Sequence, residues 1–190
     1  FASGANITNG TVTFAGVDTV IAIGALAANA ASFTGQDIAI TAGGLITLSG
    51  TANADTIDLD GIKTSATGYT LNAGDGNDTI TGSASMTGTQ TINAGAGNDT
   101  ITVGANAATV AGGAGDDSIK LGAGADTVVF EATAVANGKD TITGLEIQDT
   151  LDFNAFLGAS AAQVNATGTD FVTAGLSLAT GDNVGFVYNK

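Results

Sequence analysis

The sequence predicts an all-β fold, a parallel β-roll or β-solenoid with a small C-terminal cap, on three observations. A Gly-x-Gly-x-Asp-x-aliphatic phrase recurs through the middle of the chain. Aliphatic residues fall into two interleaved files, most of them nine residues apart. The 190 residues include 29 Gly, no Trp and 5% aromatic residues, so the core must be thin although 44% of residues are hydrophobic.

The repeat is written three times almost unchanged, as NAGDGNDTI at 72–80, NAGAGNDTI at 93–101 and AGGAGDDSI at 111–119, with LGAGADTVV following at 121–129. Its glycine pairs are Gly74 and Gly76, Gly95 and Gly97, Gly113 and Gly115, and Gly122 and Gly124, followed by Asp78, Asp99, Asp117 and Asp126. Glycine at alternate positions admits the positive φ of a tight turn and lets carbonyl oxygens converge where a Cβ would block them.

One aliphatic file is Ile57, Ile80, Ile101, Ile119 and Ile142; the other is Leu48, Leu71, Ile92, Val110, Val128 and Leu151. They alternate along the chain, so a regular coil is 18 residues, two half-turns each made of a Gly-rich loop and a short strand. Longer steps of 12 and 14 residues are expected to be loops bulging from an edge. Loops ending in Asp55, Asp78, Asp99, Asp117 and Asp140 then stack along one edge, and those ending in Asp126 and Asp149 along the other. In Gly104–Val110 the Asp position is held by Ala108, and 59–70 and 82–90 lack the motif. Thr79, Thr81, Thr100 and Thr102 flank the inward Ile residues as an outward file, as exposed strand faces favour.

Three parts follow. Residues 1–48 read as degenerate solenoid strands, at 12–14, 20–23, 37–40 and 46–48; residues 49–153 form the roll; and residues 154–190 form the cap, with a helix at 155–164 and strands near Phe171 and 184–188. An open solenoid end exposes unpaired backbone, which is why a cap is needed.

Four Lys, no Arg and no His against 18 acidic residues give a net charge of −14, which repels phosphate backbones and anionic lipid headgroups. Nucleic acid is therefore excluded as a partner. Direct membrane insertion is excluded too, because no apolar run of about 18 residues exists. Without Cys or His there is no thiol chemistry, no zinc site of the usual kind and no imidazole base, and no acid sits in an apolar run, so catalysis is not expected. The start of the chain lacks the pattern of a signal peptide, and a chain opening on Phe1 is expected to be part of a longer protein.

Such an excess of carboxylates calls for cations. Asp two residues before the buried aliphatic adds a short carboxylate to each loop, and loops stacked one coil apart offer several hard oxygens to one ion. That suits calcium, which takes six to eight oxygens at about 2.3–2.6 Å, better than the tight octahedron of magnesium. Four gaps between Asp-bearing loops on the first edge and one on the second give about five Ca2+ sites, and five ions would bring −14 to about −4.

These residues resemble the repeats-in-toxin (RTX) consensus Gly-Gly-x-Gly-x-Asp-x-aliphatic-x over residues 49–153. The resemblance implies calcium held by loop carbonyls and the Asp carboxylate, each ion shared between loops a coil apart. The ligands carried over are Asp78, Asp99, Asp117 and Asp126 with the matching glycine carbonyls. Only Gly112–Gly113 keeps the double glycine, and Ala73 and Ala94 replace the first. Asp55, Asp140 and Asp149 share the stack, but Asp55 has lost both loop glycines. The resemblance further implies type I secretion, with folding outside the cell. Richness in Ala, Thr, Gly and Asn is similar to bacterial surface-layer (S-layer) proteins, which implies a cell-surface location and self-association into a lattice. The alternative owners of such a domain are an adhesin, or a secreted enzyme or toxin of which this is the C-terminal folding and secretion module.

Overall fold

The computed structural model describes residues 6–7, 19–22, 26–32, 38–42, 44–64, 68–86, 88–131, 137–153 and 155. Strands form where side chains alternate in and out: in Gly68–Asp75, Tyr69, Leu71 and Ala73 are buried while Asn72 and Asp75 are exposed. Each strand pairs in parallel with the strand one coil away, so sequence neighbours never pair and the chain winds as a β-solenoid.

The first sheet has eight strands in the order β1 (Asn6–Ile7), β3 (Leu26–Asn29), β5 (Ile46–Ser49), β8 (Gly68–Asp75), β10 (Thr89–Ala96), β12 (Ala108–Ala114), β14 (Thr127–Val129) and β16 (Thr150–Asp152). The second has five: β6 (Thr56–Asp58), β9 (Thr79–Thr81), β11 (Thr100–Thr102), β13 (Ser118–Lys120) and β15 (Thr141–Thr143). A third joins β2 (Thr19–Ala22), β4 (Ile38–Ala42) and β7 (Ile62–Thr64).

Both aliphatic files are seen in the register. Leu48 faces Leu71, Leu71 faces Ile92, Ile92 faces Val110, Val110 faces Val128 and Val128 faces Leu151 in the first sheet. Ile57, Ile80, Ile101, Ile119 and Ile142 stack in the second. These files and the Ala73 and Ala94 methyl groups fill the thin interior. Phe130 and Phe153 stack at 4.4 Å where β14 and β16 end. The outward Thr file of β9 and β11 is in register. A longer one lies on the first sheet, where Thr47, Thr70, Thr91, Thr109, Thr127 and Thr150 pair in succession.

Two of the long steps are not loops bulging from an edge. Residues 59–70 contain β7, which pairs with β4, because Leu59 and Ile62 are both buried and give that coil a third wall. Residues 82–86 and 88–90 turn three side chains inward, where Met86, Ser83 and Gln90 are buried. The Tyr69 hydroxyl donates to Gln90 Oε1 at 2.9 Å, Gln90 Nε2 donates to Ser83 O at 2.9 Å, and Ser83 Oγ donates to Ile62 O at 2.7 Å. A buried polar group needs such partners, and this chain of bonds supplies them.

Among the expected N-terminal strands, β2, β4 and β5 lie at or within two residues of the anticipated positions. Short β1 and β3 were not anticipated, since LAAN has no period-two pattern; β3 pairs with β5 and so joins the sheet of the roll. The expected strand at 12–14 and the cap elements at 156–164, Phe171 and 184–188 lie outside the described residues.

Candidate metal centre

Each repeat loop must reverse the chain within about five residues while a second loop packs one coil away. Gly95 and Gly97 meet that demand with φ of 118° and 136°, where an L side chain is strained. A Cβ on Gly95 would lie 1.8 Å from Gly74 O, and one on Gly97 2.0 Å from Gly76 O. The loop carbonyls therefore stand in the gap between coils, against the next glycine. Gly74 and Gly76, and Gly113 and Gly115, repeat this geometry. Gly122 and Gly124 pack as closely on the coil before them, but their φ is not positive.

The aspartates form a ladder along the first edge. The main-chain N–H of Asp55 donates to Asp78 Oδ1, that of Asp78 to Asp99 Oδ1, that of Asp99 to Asp117 Oδ1 and that of Asp117 to Asp140 Oδ1, at 2.8, 2.7, 2.8 and 3.1 Å. Along the second edge Ala108 N donates to Asp126 Oδ1 and Asp126 N to Asp149 Oδ1, both at 2.9 Å. The two stacks anticipated from spacing are thus brought together, with Ala108 at the Asp position.

The other carboxylate oxygens divide the aspartates. Oδ2 of Asp78, Asp99 and Asp117 is buried and has no hydrogen-bond partner. Asp55 Oδ2 accepts from Thr51 N at 2.7 Å and Thr51 Oγ1 at 2.9 Å, Asp126 Oδ2 from Gly122 N at 3.2 Å, and Asp149 Oδ2 from Glu146 N at 2.7 Å. The division follows the backbone, since all three orphaned oxygens belong to loops whose glycine pair has positive φ. A Cβ on Gly112 would lie 2.2 Å from Asp117 Oδ2, so that carboxylate uses space beside the double glycine.

An unpaired buried carboxylate oxygen is costly, and burial raises the pKa of Asp78, Asp99 and Asp126 against the opposing effect of the N–H donors. Burial pushes Asp117 to about 7 and Asp140 to about 6, with neighbouring carboxylates adding repulsion. Among the described residues no three acidic side chains converge on one point. A cation here would draw its remaining ligands from main-chain carbonyls. Orphaned oxygens, carbonyls in the gaps and glycines that admit no Cβ fit a hard, many-coordinate cation.

Residues 70–85, 86–107 and 103–132 match the family model of the RTX calcium-binding nonapeptide repeat (4 copies). Over these residues the coils are similar to RTX repeats. No curated protein and no solved structure matches the chain. The matched segment contains Asp78, Asp99, Asp117 and Asp126 with their glycine pairs; Asp55, Asp140 and Asp149 lie outside it, at the ends of the two stacks.

Several hydrogen bonds that shape these loops were not foreseen from the sequence, although Asn77 and Asp116 stood out there as residues that could supplement a site. Asn77 Oδ1 accepts from Asn98 N, Asn98 Oδ1 from Asp116 N and Asp116 Oδ1 from Lys139 N, making a second, outer ladder. Its signal was the amide or acid just before each Asp. Asn106 and Gln148 reach carbonyls of the coil before them, and nothing in their spacing announced it.

Proposed function

We propose that this chain is the calcium-folded structural domain of a secreted bacterial cell-surface protein, a surface-layer lattice protein exported by type I secretion. The observation that carries the calcium part is the row of orphaned oxygens on Asp78, Asp99 and Asp117 inside RTX loops. Asp78, Asp99 and Asp117 would hold calcium together with carbonyls of the paired glycines, and the ion would supply positive charge to a chain of net charge −14. Without it, repulsion along the ladder and the conformational entropy of 29 glycines oppose winding. A chain that stays unwound at low cytosolic calcium and winds outside the cell is suited to export through a narrow channel. The lattice role rests on composition and on two regular threonine-bearing faces; it takes calcium first inside the roll, then between molecules.

Circular dichroism and light scattering followed in one calcium titration test both parts. We expect a largely disordered chain in chelator, β structure on adding calcium with magnesium a poor substitute, and particle growth only at higher calcium. An unchanged β spectrum in chelator would overturn calcium-driven folding. Monomers persisting at millimolar calcium and high protein concentration would replace the lattice reading by that of a folding and secretion module.

A further inference from the structure

The two edges of the roll are closed by different chemistry. On the first edge, three carboxylates keep one oxygen unpartnered. On the second, both carboxylates spend theirs on main-chain donors of their own loop: Asp126 Oδ2 accepts from Gly122 N and Asp149 Oδ2 from Glu146 N. Followed back coil by coil, the Asp position of the second edge is held by Ala108, then Gln90, then Tyr69, which face one another in register. There Gln90 accepts the Tyr69 hydroxyl and donates its own amide to Ser83 O.

Loop carbonyls on this edge also meet N–H groups. Asn106 Nδ2 donates to Met86 O and, at 3.3 Å, to Ala84 O in the preceding coil. Gln148 Nε2 donates to Ala123 O at 3.3 Å and Gly124 O at 3.5 Å, and to the Glu146 carboxylate. Gln148 stands just before its Asp, as Asn77 and Asn98 do on the first edge, yet those two turn oxygen toward the next coil's N–H. An N–H and a cation compete for the same lone pairs, and an amide neither titrates nor yields to a chelator.

We propose that the edge carrying Asp126 and Asp149 is a calcium-independent seam, in which amide and main-chain N–H groups of Gly122, Glu146, Gln90, Asn106 and Gln148 stand where cations stand on the first edge. This rests on the calcium reading of the first edge and replaces an ion in the gap between Asp126 and Asp149. Calcium then governs one side of the roll only. Hydrogen bonds hold the other side in register once winding begins.

The test is an ion count on the full 190-residue chain by equilibrium dialysis, with melting temperatures at saturating calcium. We expect wild type to bind one ion for each of the three orphaned oxygens. Asp126→Asn and Asp149→Asn should keep that number, while Asp99→Asn loses at least one ion. Asn106→Ala should also keep it and melt about 4 °C lower, as loss of one partly buried and one exposed hydrogen bond implies. An ion lost from Asp126→Asn or Asp149→Asn overturns the seam. If those variants fail to fold, the count on Asn106→Ala decides, since an ion bound at that edge would be weakened with it. Wild type binding no calcium would instead defeat the reading on which the inference rests.

Discussion

The N–H of Asp78 donates to Oδ1 of Asp99 at 2.7 Å, while Oδ2 of the same Asp99 is buried and unpartnered. One carboxylate thus ties two coils together and presents a bare oxygen to the gap. Asp149 has the same first bond, to Asp126 N, but its second oxygen is taken by Glu146 N.

Replacing Asp99 should therefore cost more calcium than replacing Asp149. Asp99→Asn is expected to raise the calcium midpoint of folding by about tenfold, equivalent to ~1.4 kcal/mol. Asp149→Asn should leave it within about twofold. Titrations followed by circular dichroism read both, and equal shifts would contradict the division between the loops.

The raised carboxyl pKa values predict that the metal-free roll prefers acid. Asp117 at about 7 and Asp140 at about 6 bind protons more tightly when folded than their ordinary value of 3.8 allows. Their contribution is fully present below 3.8 and lost as pH rises through 6 to 7, so stability without calcium falls over that window. Urea unfolding in chelator should show more residual structure at pH 5 than at pH 8. With calcium present the trend reverses, since protons compete with the ion for the same oxygens.

Gly95→Ala should cripple the roll even at saturating calcium. The new methyl group would sit 1.8 Å from Gly74 O at a φ of 118°, a clash with backbone that no side-chain rotation relieves. Strain and overpacking together cost about 3 kcal/mol or more. Thermal unfolding at saturating calcium should register that loss, and an unchanged midpoint would mean the coils are not packed as described.

Tyr69→Phe isolates the polar network from the metal. It leaves Gln90 Oε1 buried without its 2.9 Å donor, at a cost of about 1–3 kcal/mol. The melting temperature should fall while the calcium midpoint of binding to the folded roll stays put. A shift in calcium affinity as large as that of Asp99→Asn would tie the network to the ion sites.

Residue pattern alone fixed the winding. Nine-residue spacing decided which aliphatic residues face inward, and all eleven members of the two files stack as the spacing requires. Alternation with period two and obligatory glycine turns are local rules, and a solenoid repeats local rules. For the same reason the Asp stacks, and the gap left by Ala108, were legible.

The state of each carboxylate was decided only by the tertiary structure. GAGAD at 122–126 and GAGND at 95–99 read almost alike, yet Asp126 accepts an N–H from its own loop and Asp99 does not. That choice goes with the φ of the glycine pair, positive at Gly95 and Gly97 and not at Gly122 and Gly124. β7 became a third wall because β4 was there to pair with, and Asn106 became a cross-coil donor because the Met86 carbonyl lay within reach. Spacing along a chain specifies what stacks on what. Where a hydrogen points depends on atoms some twenty residues away, and those distances exist only in the wound molecule.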